Sequence, residues 1–139
     1  MRKIYFIVLF MLALSACKRK TTSVKQQDKD LMIQVKQEDA VDDSTKIAYQ
    51  VRIFNQMKLS DQGAKKIIEV MAYGQDSSFY KLKGLEKIYP VGVVPVANGI
   101  KNCFEYVVLF DKVEIAETVG TFVFSAKNIN GKTYQLRVK

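Results

Sequence analysis

The chain has 139 residues, with 22 Lys and Arg against 14 Asp and Glu for a net charge of +8. It contains no histidine and two cysteines, which removes the commonest general base, the usual serine and cysteine triads and most zinc sites. Neither GxxxxGK[ST] nor GxGxxG occurs, so the phosphate-cradling loops that those patterns build are excluded too.

Arg2 and Lys3 precede eleven largely apolar residues, Ile4 to Leu14, and Ser15 and Ala16 then lead into Cys17. This is the layout of a secretory signal peptide. The run is too short for a spanning helix, which needs about 20 apolar residues, and it stops at Lys18-Arg19-Lys20. Leu14-Ser15-Ala16-Cys17 resembles the lipobox of bacterial lipoproteins. That resemblance implies cleavage between Ala16 and Cys17, with lipid on the Cys17 thiol and its new amino group. It also implies two or three acyl chains, and two suffice for firm anchoring. Lys18 in place of Asp goes with the outer membrane in Gram-negative lipoproteins, and a basic rather than acidic run favours the periplasmic face over the cell surface.

Residues 17–30 read as the lipidated cysteine and a basic tether. Segment 18–30 holds five cations, two acids and Val24 as its one large apolar residue, too little to offset chain entropy. Its 13 residues span roughly 20 Å as a coil and about 43 Å fully stretched. From Leu31 onward 15 cations face 12 acids, so much of the basic excess belongs beside anionic lipid rather than to a nucleic-acid surface.

Residues 31–139 read as one domain in which period-two alternation dominates. Leu31, Ile33 and Val35 alternate with polar neighbours, as do Ile47, Tyr49, Val51 and Ile53. Ser60 N-caps a short helix near 60–73 bearing Ala64, Ile67, Ile68 and Met71, with Gly74 at its C-terminal cap, although Gly63 weakens it and a β reading of Ile67–Tyr73 competes. Phe79 to Leu82 is a short strand. Ile88 to Val96 is an edge or bent strand, because Pro90 and Pro95 lack a ladder donor. Asn98-Gly99 turns into Phe104–Phe110, expected as the central strand, and Asn130-Gly131 joins Thr121–Lys127 to Thr133–Val138. About seven short strands point to a two-sheet β-sandwich of immunoglobulin or transthyretin type.

Chemistry-bearing residues are sparse. Glu105 sits in the most apolar strand, where burial would raise its pKa and mark a site, unless its face of the strand is partly open or a Lys or Arg pairs with it. With Cys17 lipidated, Cys103 is the remaining thiol and reads as a small buried hydrophobe. Asp28, Asp30, Glu38, Asp39, Asp42 and Asp43 lack the spacing of a calcium loop. No catalytic residue, metal ligand or cofactor is expected beyond the lipid on Cys17.

Tyr49-Gln50-Val51-Arg52-Ile53-Phe54-Asn55-Gln56 resembles the early strand of the small outer-membrane lipoproteins of type VI secretion systems. Those proteins share a lipobox, a similar size and a transthyretin-like sandwich, sometimes with a short helical insertion. The resemblance implies a structural anchor for an envelope-spanning complex. The leading expectation is a non-enzymatic outer-membrane lipoprotein that binds membrane lipid through Cys17 and other envelope proteins through its domain, with Pro90, Pro95 and Asn98-Gly99 as contact zones. The alternative is a binding module for a carbohydrate or a hydrolase. The chain has seven Tyr but no Trp, and a basic domain opposes binding of a cationic lysozyme.

Overall fold

Alternating apolar residues bury one face of each strand, and two such faces close against each other in the computed structural model, which describes residues 23–38, 45–73, 75–112 and 120–138. In chain order the described elements are β1 (Ser23–Gln27), β2 (Leu31–Glu38), β3 (Lys46–Asn55), α1 (Asp61–Ala72), β4 (Phe79–Lys83), β5 (Glu86–Ile88), β6 (Gly92–Val96), β7 (Cys103–Asp111), β8 (Gly120–Ala126) and β9 (Lys132–Val138). One antiparallel sheet has the order β1-β2-β3-β7-β6 and the other β5-β4-β8-β9. The expected β-sandwich is therefore the observed class, with nine described strands rather than about seven.

The core lies between the sheets. Ile33, Val35, Val51, Val108 and Phe110 face Phe79, Phe122 and Phe124, all essentially inaccessible to solvent. Each such side chain contributes about 1.5–3 kcal/mol relative to exposure. The rings are tilted against one another, with Phe79 and Phe124 centroids 5.1 Å apart and Tyr49 and Phe122 5.5 Å apart, the offset geometry that aromatic quadrupoles favour.

Four expectations need correction. First, Ser23–Gln27 is an edge strand paired with β2, from Ser23↔Lys36 to Gln27↔Met32, and Val24 packs on the core. The folded unit thus begins before Leu31, and the basic tether is shorter than 17–30. One apolar residue in five leaves no pattern to read, since ladder hydrogen bonds hold this strand. Second, β7 is interior but β3 is the middle strand of its sheet. Third, Ile88–Val96 splits: β5 is the edge of one sheet and β6 the edge of the other. Pro90 lies in the crossing and Pro95 on the β6 edge, where a missing donor costs least. Fourth, a helix is present at 61–72, but Ile67 and Met71 are buried whereas Ile68 is 57% exposed.

Registers define two ends. The β1–β2 turn and the start of β9 meet where Lys132 contacts Asp28 and Asp30. Asn55, Cys103 and α1 belong to this helix end. Ser23, Lys46, Asp111, Gly120, Val138 and the β4–β5 tip lie at the opposite, entry end.

Candidate functional site

Glu105 projects from the outer face of β7, away from the core, because alternation sends Phe104, Tyr106, Val108 and Phe110 inward. It is 7% exposed and directly opposite Arg52 on β3. Its partners are donors: Gln50 Nε2 at 2.5 Å, Asn98 Nδ2 at 3.0 Å and Arg52 Nε at 3.3 Å. Burial pushes its pKa up, but the amide hydrogen bonds and the Arg52 charge outweigh it and hold the carboxyl below the ordinary glutamate value. Glu105 is thus an ionised hub joining β3, β7 and the loop after β6, the paired arrangement and not the raised-pKa one.

Two concavities flank this hub. A polar trough of about 560 Å³ runs over β1, β2 and β3, lined by Ser23, Gln34, Lys36, Glu38, Gln50 and Arg52. On the other side a largely apolar groove of about 570 Å³ separates α1 from β6 and β7, with Ile68, Met71, Pro95, Val96, Cys103 and Phe104 in its walls. Ser60 starts the helix that forms one wall: its Oγ accepts the Gly63 N–H at 3.2 Å. Gln75 Nε2 donates to the Val70 carbonyl at 2.6 Å at the other terminus, a cap that the sequence offers no pattern for; Gly74 lies outside the described residues. The Tyr106 hydroxyl donates to the Met71 carbonyl and ties α1 to β7. Ile68 and Val96 in its walls are exposed, as are Val94 and Ile100 next to lining residues in the chain, apolar exposure of the kind that marks interaction surfaces.

Within the core, Lys81 is 4% exposed and its Nζ donates to the Tyr49 hydroxyl at 2.8 Å. The amine is 4.8 Å from the Tyr49 ring centroid, a separation set by the hydroxyl bond rather than by stacking over the ring face. Burial pushes the Lys81 pKa down and that of Tyr49 up to about 12. Among the described residues no carboxylate pairs with Lys81. Sequence reasoning missed it, because a Lys within a strand reads as solvent-facing.

Asp28 and Asp30 are also engaged. Asp28 Oδ1 accepts from the Asp30 and Leu31 amides at 2.8 and 2.9 Å, and Oδ2 from Lys132 and Tyr134. Asp30 Oδ2 accepts from Lys132 at 2.9 Å and Asn130 at 3.2 Å. These donors hold both carboxyls below the usual range, so the pair acts as a clasp between sheets. Cys103 is a free, buried thiol whose Sγ accepts from Asn98 Nδ2 at 3.4 Å. It lies on the outer sheet face rather than among the core residues. Among the described residues no group of acids and thiols is disposed to hold a metal ion. The structure brings Glu105, Pro95, Asn98, Gly99 and Cys103 to one groove. Ala16, Cys17, Asp39, Asp42 and Asp43 lie outside the described residues.

No family model matches this chain. No curated protein and no solved structure matches it either.

Proposed function

We propose that this chain is a non-enzymatic lipoprotein of the bacterial cell envelope, held in the outer membrane by lipid on Cys17 on the periplasmic side. Its sandwich docks other envelope proteins, as the outer-membrane anchor of a secretion or transport complex. The observation that carries the anchoring is Leu14-Ser15-Ala16-Cys17 behind a short apolar run with two leading cations. The groove between α1 and β6, with Ile68, Val94, Val96 and Ile100 exposed beside it, supports docking at the helix end. Pro95 limits strand addition at this edge, so a partner would use side-chain contacts in the groove.

Cross-linking and mass spectrometry of the native protein beside a Cys17→Ser variant tests the reading. Envelope proteins captured by the native chain and lost with the anchor are the expected result; monomer alone after cross-linking in membranes would overturn it. The polar trough with Gln34, Lys36, Gln50 and Arg52 favours a second reading, a module binding a polar soluble ligand such as a carbohydrate. Calorimetric titration with envelope glycans would show binding that Gln50→Ala weakens if that reading holds.

A further inference from the structure

The entry end carries a feature that docking at the helix end does not use. Leu85, at the tip of the β4–β5 hairpin, is fully exposed. A Cβ added at neighbouring Gly84 would meet nothing within 4 Å, so the tip stands clear of the domain. Gly84 adopts φ 63°, the left-handed turn conformation that glycine takes at least cost, and the exposed Lys83, Glu86 and Lys87 flank the leucine along the hairpin. On the flank Tyr89 and Val91 are also exposed. The Tyr80 and Tyr89 rings are 5.8 Å apart, and Lys87 Nζ is 4.9 Å from the Tyr80 ring centroid. An apolar tip with lysines and tyrosines behind it is the composition that partitions into a membrane interface.

Geometry supplies the second observation. Ser23 enters the fold at this same end. Five residues, Lys18 to Thr22, lie between it and Cys17, a reach of at most about 20 Å over the six residue steps. The first strand and the hairpin occupy opposite corners of the end, since β1 and β5 are edges on opposite sides of the sandwich. We propose that the entry end rests against the lipid surface, with Leu85 inserted among the upper acyl chains as a second attachment point beside the Cys17 lipid. This rests on the anchoring reading given above. A protein partner fits the tip less well, because specific interfaces bury about 800 Å² per side and this tip offers one leucine. Glu86 beside Leu85 offsets one of the two flanking lysines, so the apolar side chain, and not net charge, drives the contact. The consequence is an orientation: the groove at the helix end points away from the membrane.

The chain has no tryptophan, so a single Leu85→Trp substitution at this fully exposed position gives an unambiguous probe. The full lipidated chain is placed in phosphatidylethanolamine–phosphatidylglycerol vesicles with brominated acyl chains, beside a Lys127→Trp control at the helix end. Flotation with the vesicles reads anchoring, and quenching reads the tip. Blue-shifted emission quenched several-fold more at position 85 than at 127 supports the proposal. Flotation with equal quenching at both positions, or a tip shielded only when a partner protein is added, overturns it while leaving the anchor intact. If the chain does not float, the anchoring reading falls, and quenching of the same protein mixed with vesicles still decides whether the tip inserts.

Discussion

Lys81 shows how one side chain changes meaning with its surroundings. Its amine is buried, its pKa is pushed down by that burial, and its hydrogen-bond acceptor is the Tyr49 hydroxyl. Tyr49→Phe removes that acceptor and leaves the amine without it, so unfolding by urea should show a loss of about 1–3 kcal/mol. Lys81→Met keeps the aliphatic stem and removes the desolvated amine, and is expected to be neutral or stabilising. In the double variant the Tyr49→Phe penalty should shrink, which a double-mutant cycle measures directly. A Tyr49→Phe cost that persists unchanged with Met at position 81 would locate it in the ring packing against Phe110 and Phe122 instead. Glu105 makes the opposite point. Its strand neighbours suggested an apolar site, whereas its actual partners are Gln50, Asn98 and Arg52.

At the scale of elements, α1 is the piece whose type the sequence left in competition. Its N-terminus is specified by Ser60, whose Oγ accepts from the Gly63 amide. Its inward stripe of Ile67 and Met71 then fixes it against the sandwich. Ser60→Ala should lower stability by about 1 kcal/mol. Gly63→Ala should raise it by up to about 0.5 kcal/mol, because a glycine in the first turn costs less than the roughly 1 kcal/mol of a helix interior. A Cβ there would approach Leu59 Cβ and Ser60 Oγ to 3.4 Å, at the edge of ordinary contact. Thermal unfolding of the two variants reads opposite signs, and a lowered midpoint for Gly63→Ala would show that Ser60 must shift to admit the methyl. The two halves of Ile88–Val96 illustrate a second rule of elements: prolines told that this segment was an edge, but not that it served two sheets.

Across the whole molecule, charged side chains clasp the two sheets together at one end. Asp28 and Asp30 from the first turn meet Lys132 from the last, with Asn130 and Tyr134 completing the network. Amides of Leu31 and Asp30 and the Lys132 side chain hold the two carboxyls below their ordinary values, and Glu105 is likewise depressed by its donors despite burial. In each case the folded value lies below the unfolded one, so the unfolded chain takes up protons first as pH falls. The stabilisation is therefore complete above about pH 4.5 and is lost progressively as pH drops through the folded values. Midpoints of thermal unfolding from pH 7 to 3 should decline below about pH 4.5, and Asp28→Asn should flatten that decline. An unchanged acid limb in Asp28→Asn would remove the clasp from this role.

The sequence by itself determined the sandwich class, the alternating apolar faces of β2 and β3, and the Ser60 cap, whereas β7, apolar on both faces, left its inward side to the tertiary structure. Period-two burial and capping are local, so Leu31, Ile33 and Val35 or Phe122, Phe124 and Ala126 announce their face without knowing their partners. Only the tertiary structure decided that Ser23–Gln27 is a strand, that Lys81 turns inward, that Glu105 is bonded rather than apolar, and that Asp28 and Asp30 hold Lys132. Each of these depends on groups far apart in the chain, such as Lys81 and Tyr49, or Asp28 and Tyr134. No local pattern carries the free energy of a contact that exists only once both sheets have closed.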